Sequence, residues 1–243
     1  MTNFLPDIEI KNAFTEDEIS YLDQAIQDNV YERFENKNVY QGSPNFGKRF
    51  SIREHFDFVT NTAISKLILS KLPKVLQDNI KIWTSFKLTS YMPYDIHNDH
   101  EQLECSNSER PFGVIIIPFS SGDLIKTIIL NQFGRYHTWV EYKEKNPKFL
   151  PKGEMVDKIT FDNLFSHQLP QERYYMSIKD VYTWMRGNIM LFDLQYFHLS
   201  NDFAKHGIKS KEGITLFTKI DKDKFDVCYN ELMSMKNIHL SNN

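Results

Sequence analysis

Apolar residues recur at helical intervals near the N-terminus and switch to every second position from about residue 80. In NAFTEDEISYLDQAIQDNV, Ile19, Leu22, Ile26 and Val30 share one face, and Thr15 and Glu18 have capping-box spacing, so a helix is expected there. FVTNTAISKLILSKLPKVL repeats the helical pattern. Pro73 lacks an amide hydrogen and should end or kink that helix. Between the two, ENKNVYQGSPNFGKRFS is rich in Asn, Gly and Ser and reads as loop or irregular extended chain.

The segment IKIWTSFKLTSYM alternates, with Lys87, Thr89 and Tyr91 on one face and Phe86, Leu88 and Ser90 on the other. RPFGVIIIPFS is the next expected strand, ended by Ser120-Ser121-Gly122-Asp123, and LIKTIILNQF and RYHTWVEYK follow it. Residues 144–180 have few apolar runs and read as an insertion or lid with a short helix or two. Strand character returns in GNIMLFDL and GITLFTKI, and DKFDVCYNELMSM predicts a terminal helix. Helices followed by short strands predict an α+β domain, a sandwich or barrel backed by N-terminal helices. No linker divides residues 1–243, so one domain is expected: helical support to 79, a β core over 80–220, and a helix and tail over 221–243.

Composition narrows the possible partners. A net charge of −3 and scattered Lys and Arg give no basic run to follow a phosphate backbone, so nucleic acid is not expected. Cys105 and Cys228 are far apart and lack CxxC company, which argues against a disulfide framework or zinc knuckle. No signal-peptide pattern opens the chain and no apolar run is long enough to span a bilayer. A cytoplasmic protein that avoids membranes is the expectation, and the oligomeric state is left open. Aromatic residues make up 14% of the chain, enough to line a pocket with rings.

The densest polar chemistry is TSYMPYDIHNDHEQ, at the end of the first core strand. With 8 His and 32 acidic residues, a chance H-x-D somewhere has a probability of roughly one half, so His97-Asn98-Asp99 alone decides nothing. In extended chain, residues two apart share a face, so His97 and Asp99 could hold one ion if a later strand supplied another imidazole. His198 suits that role, following the apolar strand that runs from Gly187 through Phe192. His206, deeper in a polar loop, is its competitor; His137 and His167 lack suitable partners, and His100 and Glu101 lie beyond the pair.

The order of N-terminal helices, Tyr-x-x-Tyr-x-x-His-x-Asp, an apolar strand, Gly-x-x-x-x-Phe then His, and a closing strand resembles the Fe(II)- and 2-oxoglutarate-dependent dioxygenases. The likeness covers about residues 80–220. It implies a double-stranded β-helix (jelly-roll) core, with His97, Asp99 and His198 as iron ligands. It also implies 2-oxoglutarate and O₂ as co-substrates, succinate and CO₂ as products, and oxidation of an unactivated C–H bond. Related halogenases lack the carboxylate ligand, so Asp99 favours hydroxylation.

The family usually pairs the distal 2-oxoglutarate carboxylate with an Arg opening the last strand, with Ser or Thr two residues on. Here Thr215 holds the hydroxyl position but Gly213 stands where the Arg would fall. Lys211 is the best substitute, then Lys209, with Lys126 and Arg135 on earlier strands also in play. Tyr91 is expected to hydrogen-bond the co-substrate and Tyr94 to face the prime substrate. A small molecule such as an amino acid or metabolite is favoured. Alternatives are a peptide side-chain hydroxylase, a non-oxidative cupin-like metal binder, or an interaction domain with incidental histidines.

Overall fold

Thr15 and Glu18 exchange the two hydrogen bonds of a capping box and open α1 (Glu16–Gln27), which buries Ile19, Leu22 and Ile26. Pro73 separates α2 (Thr62–Ser70) from α3 (Lys74–Asn79), so the second helical stretch is broken where the missing amide requires it. The computed structural model describes residues 4–37, 47–99, 105–134, 138–145 and 155–241. Its strands are β1 (Ile8–Ile10), β2 (Val30–Lys37), β3 (Arg49–Phe56), β4 (Ile80–Ser90), β5 (Glu109–Pro118), β6 (Gly122–Phe133), β7 (Ile178–Trp184), β8 (Ile189–Asp193), β9 (Tyr196–Ser200) and β10 (Lys211–Asp221). The later helices are α4 (Trp139–Lys145), α5 (Lys158–Leu164) and α6 (Phe225–Ser241).

The strands form two antiparallel sheets, ordered β1-β8-β5-β10-β4-β3-β2 and β7-β6-β9. This is the α+β, jelly-roll architecture the sequence leads one to expect. Period-2 alternation assigns each face its partner. Ile115, Ile117, Leu191, Ile214 and Leu216 of the large sheet pack against α1, α2, α3 and α6. Val114, Ile116, Met190, Phe192 and Phe217 point the other way and meet Ile129, Tyr182 and Trp184 of the small sheet. The far side of the small sheet, with Ile128, Leu130, Phe197 and Leu199, is covered by Trp139, Phe161, Phe165 and Met176. The described part of the 144–180 segment is therefore a packed outer layer.

Three stretches differ from their sequence patterns. Residues within 35–51, expected as loop or irregular extended chain, contribute to the regular strands β2 and β3; β2 is an exposed edge strand whose polar residues carry no alternation signal. The WVEYK of RYHTWVEYK, expected as strand, lies in α4: Thr138 accepts from the Glu141 amide, and Trp139 stacks on Tyr142 one turn later at 5.0 Å. β1 and β7 complete the two sheets without having been anticipated.

Gly187 fixes the entry to β8. Its φ is +83°, its carbonyl accepts from the Phe14 amide, and an added Cβ would lie 2.6 Å from the Phe14 oxygen. Gly187→Ala is expected to cost about 1–3 kcal/mol, read as a lower urea midpoint. An unchanged midpoint would contradict this local geometry.

Candidate active site

After Ser90 the chain leaves the large sheet, helped by Ser90 Oγ donating to the Met92 carbonyl and by Pro93, which cannot donate to a ladder. It crosses to the small sheet, where the His97 amide donates to the His198 carbonyl (3.0 Å) and the His198 amide to that of His97 (2.8 Å). This double bridge sets the imidazoles side by side, with ring centroids 4.3 Å apart. His97 is thus not at the end of β4, and His198 lies within β9 rather than just past a strand. Sequence patterning missed both because the sheet switch breaks the periodicity.

Each imidazole is fixed in the same way. Nδ1 of His97 lies 2.7 Å from the Asp95 carbonyl, and Nδ1 of His198 lies 3.1 Å from the Tyr196 carbonyl. A carbonyl only accepts, so both Nδ1 atoms carry hydrogen and both Nε2 lone pairs remain available to bind an ion. Asp99, anchored by its amide on the Leu194 carbonyl, brings Oδ2 to 3.3 Å from His198 Nε2. The three side chains offer ligand atoms all within 4.8 Å of one another. Two imidazoles and one carboxylate suit a divalent first-row metal with open positions on the opposite side.

The electrostatics favour ligation. Burial, reinforced by His198, pushes the His97 imidazole down to about 4, so it is neutral at physiological pH. Burial alone would raise the Asp99 carboxyl; His198 and His97 beside it outweigh that effect and hold it below its ordinary range.

The triad forms part of the wall of a cavity of about 540 Å³, including its open mouth, between the two sheets. Leu88, Val114, Ile116 and Phe217 supply apolar wall, and Thr127, Trp184, Ser200, Lys211 and Thr215 supply the polar part. Lys211 is only 4% exposed, and its Nζ donates to Ser200 Oγ at 2.6 Å and lies 4.5 Å from the Trp184 ring. Burial pushes its ammonium down to about 7. Among the described residues no carboxylate pairs with it, and one hydroxyl and a ring face do not replace the hydration of a buried cation.

The other residues singled out from sequence fall as follows. Thr215 lines the cavity with Lys211, four residues earlier on the same face of β10. Tyr94 also lines it, donating to Ser51 Oγ at 2.9 Å with its ring 5.4 Å from His97. Tyr91 is not among the lining residues and packs under Arg49. Lys126 donates to Thr183 across the β6–β7 pair, while Lys209 and His206 are exposed. His167 is half-buried and is not among the lining residues, with both ring nitrogens lacking a hydrogen-bond partner among the described residues. Arg135, His137, His100 and Glu101 lie outside the described residues. Arg53 of β3 was not anticipated, because only the opening of its strand, to Ser51, was read, and as loop or irregular extended chain; it lines the cavity with its guanidinium 5.1 Å from the Phe86 ring.

No protein-family model matches the sequence, and no curated protein matches it. Solved structures do resemble the fold. The chain is similar to SnoK, a non-heme α-ketoglutarate-dependent carbocyclase from nogalamycin biosynthesis, at 8% identity and a TM-score of 0.57, over 89% of this chain and 80% of that one. It is similar to the α-ketoglutarate-dependent epimerase SnoN of the same biosynthesis, at 7% identity and 0.52, over 89% and 79%. HygX of Streptomyces hygroscopicus, solved with nickel and 2-oxoglutarate bound, matches at 11% identity and 0.51, over 90% and 84%. At such identities the likeness establishes a common fold, the jelly roll of the 2-oxoglutarate- and Fe(II)-dependent oxygenases. Among the described residues no helix is long and apolar enough to cross a membrane.

Proposed function

We propose that this chain is a 2-oxoglutarate- and Fe(II)-dependent oxygenase that hydroxylates an unactivated C–H bond of a small molecule. One observation carries the reading: the cavity whose wall presents His97, Asp99 and His198 also holds a buried lysine with no carboxylate partner among the described residues. The triad would hold Fe(II), and Lys211, with the hydroxyls of Ser200 and Thr215, would receive the distal carboxylate of 2-oxoglutarate. Bound iron, 2-oxoglutarate and O₂ supply the oxidising chemistry and leave succinate and CO₂.

The protein's own groups bind, orient and exclude water. The two Nδ1 bonds keep the Nε2 atoms aimed inward, and the apolar wall keeps bulk water from the reacting carbon. A carboxylate in the ligand set favours hydroxylation over halide transfer. The fold relatives named as acting in nogalamycin biosynthesis favour a small-molecule substrate. A cytoplasmic setting suits two unpaired cysteines and a ferrous ion.

Lys211 gives the reading a pH signature. Free Lys211 is charged below about pH 7 and neutral above it, whereas a bound carboxylate demands the charged form. Affinity for 2-oxoglutarate should be flat below pH 7 and weaken about tenfold per pH unit above it, until the pKa of the complex is reached. Lys211→Arg, charged throughout, should bind without that alkaline loss. An alkaline limb of equal slope in the arginine variant would remove Lys211 from the role.

The direct test is succinate formation from 2-oxoglutarate with Fe(II) and O₂, slow without prime substrate and stimulated by a hit from a metabolite panel. No succinate above the metal-free blank, with the protein folded and iron bound, would rule out the oxygenase reading. It would favour a non-oxidative metal binder.

A further inference from the structure

The cavity carries a second cation that the proposed metal and co-substrate leave unused. Strand register locates it. Across the large sheet Gly213, Leu88 and Arg53 are paired in one row, and Lys211, Ser90 and Ser51 in the next. Arg53 is thus two strands and one two-residue step from Lys211, about 12 Å away at the backbone by ordinary strand spacing. The Lys211 ammonium lies against the small sheet, on Ser200 and the Trp184 ring. The Arg53 guanidinium lies over Phe86, in the same cavity wall that carries the triad. The two cations therefore face different parts of the one cavity that the triad also lines.

Arg53 Nε is buried without a hydrogen-bond partner, and among the described residues no carboxylate pairs with the guanidinium. Of the acidic residues along β2 and β3, Glu54 pairs with Arg33 and Glu35 with Arg49, and Glu32 stands opposite His55. A buried guanidinium donor left unpaired costs free energy unless something else receives it. Charge balance says what that is. In the loaded site the iron dication cancels the dianionic co-substrate, and Lys211 cancels Asp99, the sole described carboxylate lining the cavity. Arg53 is left over.

Resting on the function proposed above, we infer that the prime substrate is a small molecule bearing an oxyanion, most simply a carboxylate, which Arg53 receives while Lys211 holds the co-substrate. A guanidinium offers two parallel donors to such a group, so it would orient the substrate as well as attract it. Leu88 and Phe86, beside Arg53 on the same wall, would take the substrate's apolar part.

The test uses the full chain, anaerobic, loaded with Fe(II) and saturating 2-oxoglutarate so that Lys211 is occupied, with sulfate as the oxyanion probe in a calorimetric titration. The expected result is saturable sulfate binding to wild type, at least tenfold weaker binding to Arg53→Met, and substantial recovery in Arg53→Lys. The affinity for 2-oxoglutarate should stay within about threefold across all three proteins. Equal sulfate binding by wild type and Arg53→Met overturns the inference, as does no binding to wild type. A tenfold or greater loss of 2-oxoglutarate affinity in Arg53→Met also overturns it, because Arg53 would then serve the co-substrate. Failure of wild type to take up 2-oxoglutarate at all rejects the function proposal, and this inference with it.

Discussion

His198→Ala is expected to lower Fe(II) affinity by more than the roughly 10–100-fold that losing an outer-sphere partner costs, and to reduce succinate formation to the protein-free background. The fold should survive. The contacts tying the His97 segment to β9 are main-chain bonds at 3.0 and 2.8 Å, which alanine retains. The apo variant should therefore melt near the wild-type temperature. Added metal, which raises the melting temperature of wild type by binding only the native state, should leave the variant unmoved. Asp99→Ala should behave alike, because it removes the carboxylate 3.3 Å from His198 Nε2. A variant that still bound Fe(II) as tightly as wild type would show that the triad is not the metal site.

Lys211→Met is expected to separate stability from function. In the unfolded chain a lysine keeps its proton up to about 10.5, while buried Lys211 gives its proton up near 7. Between those values the folded protein bears a growing cost as pH falls, complete below about pH 7 and absent above about 10.5. Methionine fills similar space without the charge, so the apo variant should be more stable at neutral pH by on the order of 1–3 kcal/mol. That advantage should shrink as pH is raised. The same change should cost 2-oxoglutarate affinity about a hundredfold, since the distal carboxylate would be buried without its counter-charge. A variant that was both destabilised and normal in 2-oxoglutarate affinity would make Lys211 a structural residue.

The sequence was most informative where local chemistry determines local structure. The Thr15–Glu18 capping box, the break at Pro73, the alternation of β4 and the strands β5 and β6 are each read from a few neighbouring residues and are present as expected. It was least informative where tertiary pairing decides. β2 is a strand because β3 pairs with it, not because its own residues alternate. α4 has strand-like residue types yet closes a helix through Thr138 and the Trp139–Tyr142 stack.

The candidate site divides along the same line. His97, Asp99, His198, Lys211 and Thr215 were nameable from spacing together with family likeness, and the fold brings all five to one cavity. The bridge that joins His97 to His198 was not legible, because it forms where the chain changes sheets. Arg53 was hidden for a related reason. Its orientation follows from pairing with Leu88 across β3 and β4, a register that no run of residues around position 53 encodes.

The central claim is that one cavity holds Fe(II) on the triad and 2-oxoglutarate between that iron and Lys211. Its most direct test is the visible absorption of the anaerobic protein on adding Fe(II) and then 2-oxoglutarate. A weak metal-to-ligand charge-transfer band should grow in wild type. It should be absent in His198→Ala, and in Lys211→Met it should appear only at far higher 2-oxoglutarate. No band in wild type, or an equal band in His198→Ala, would contradict the account.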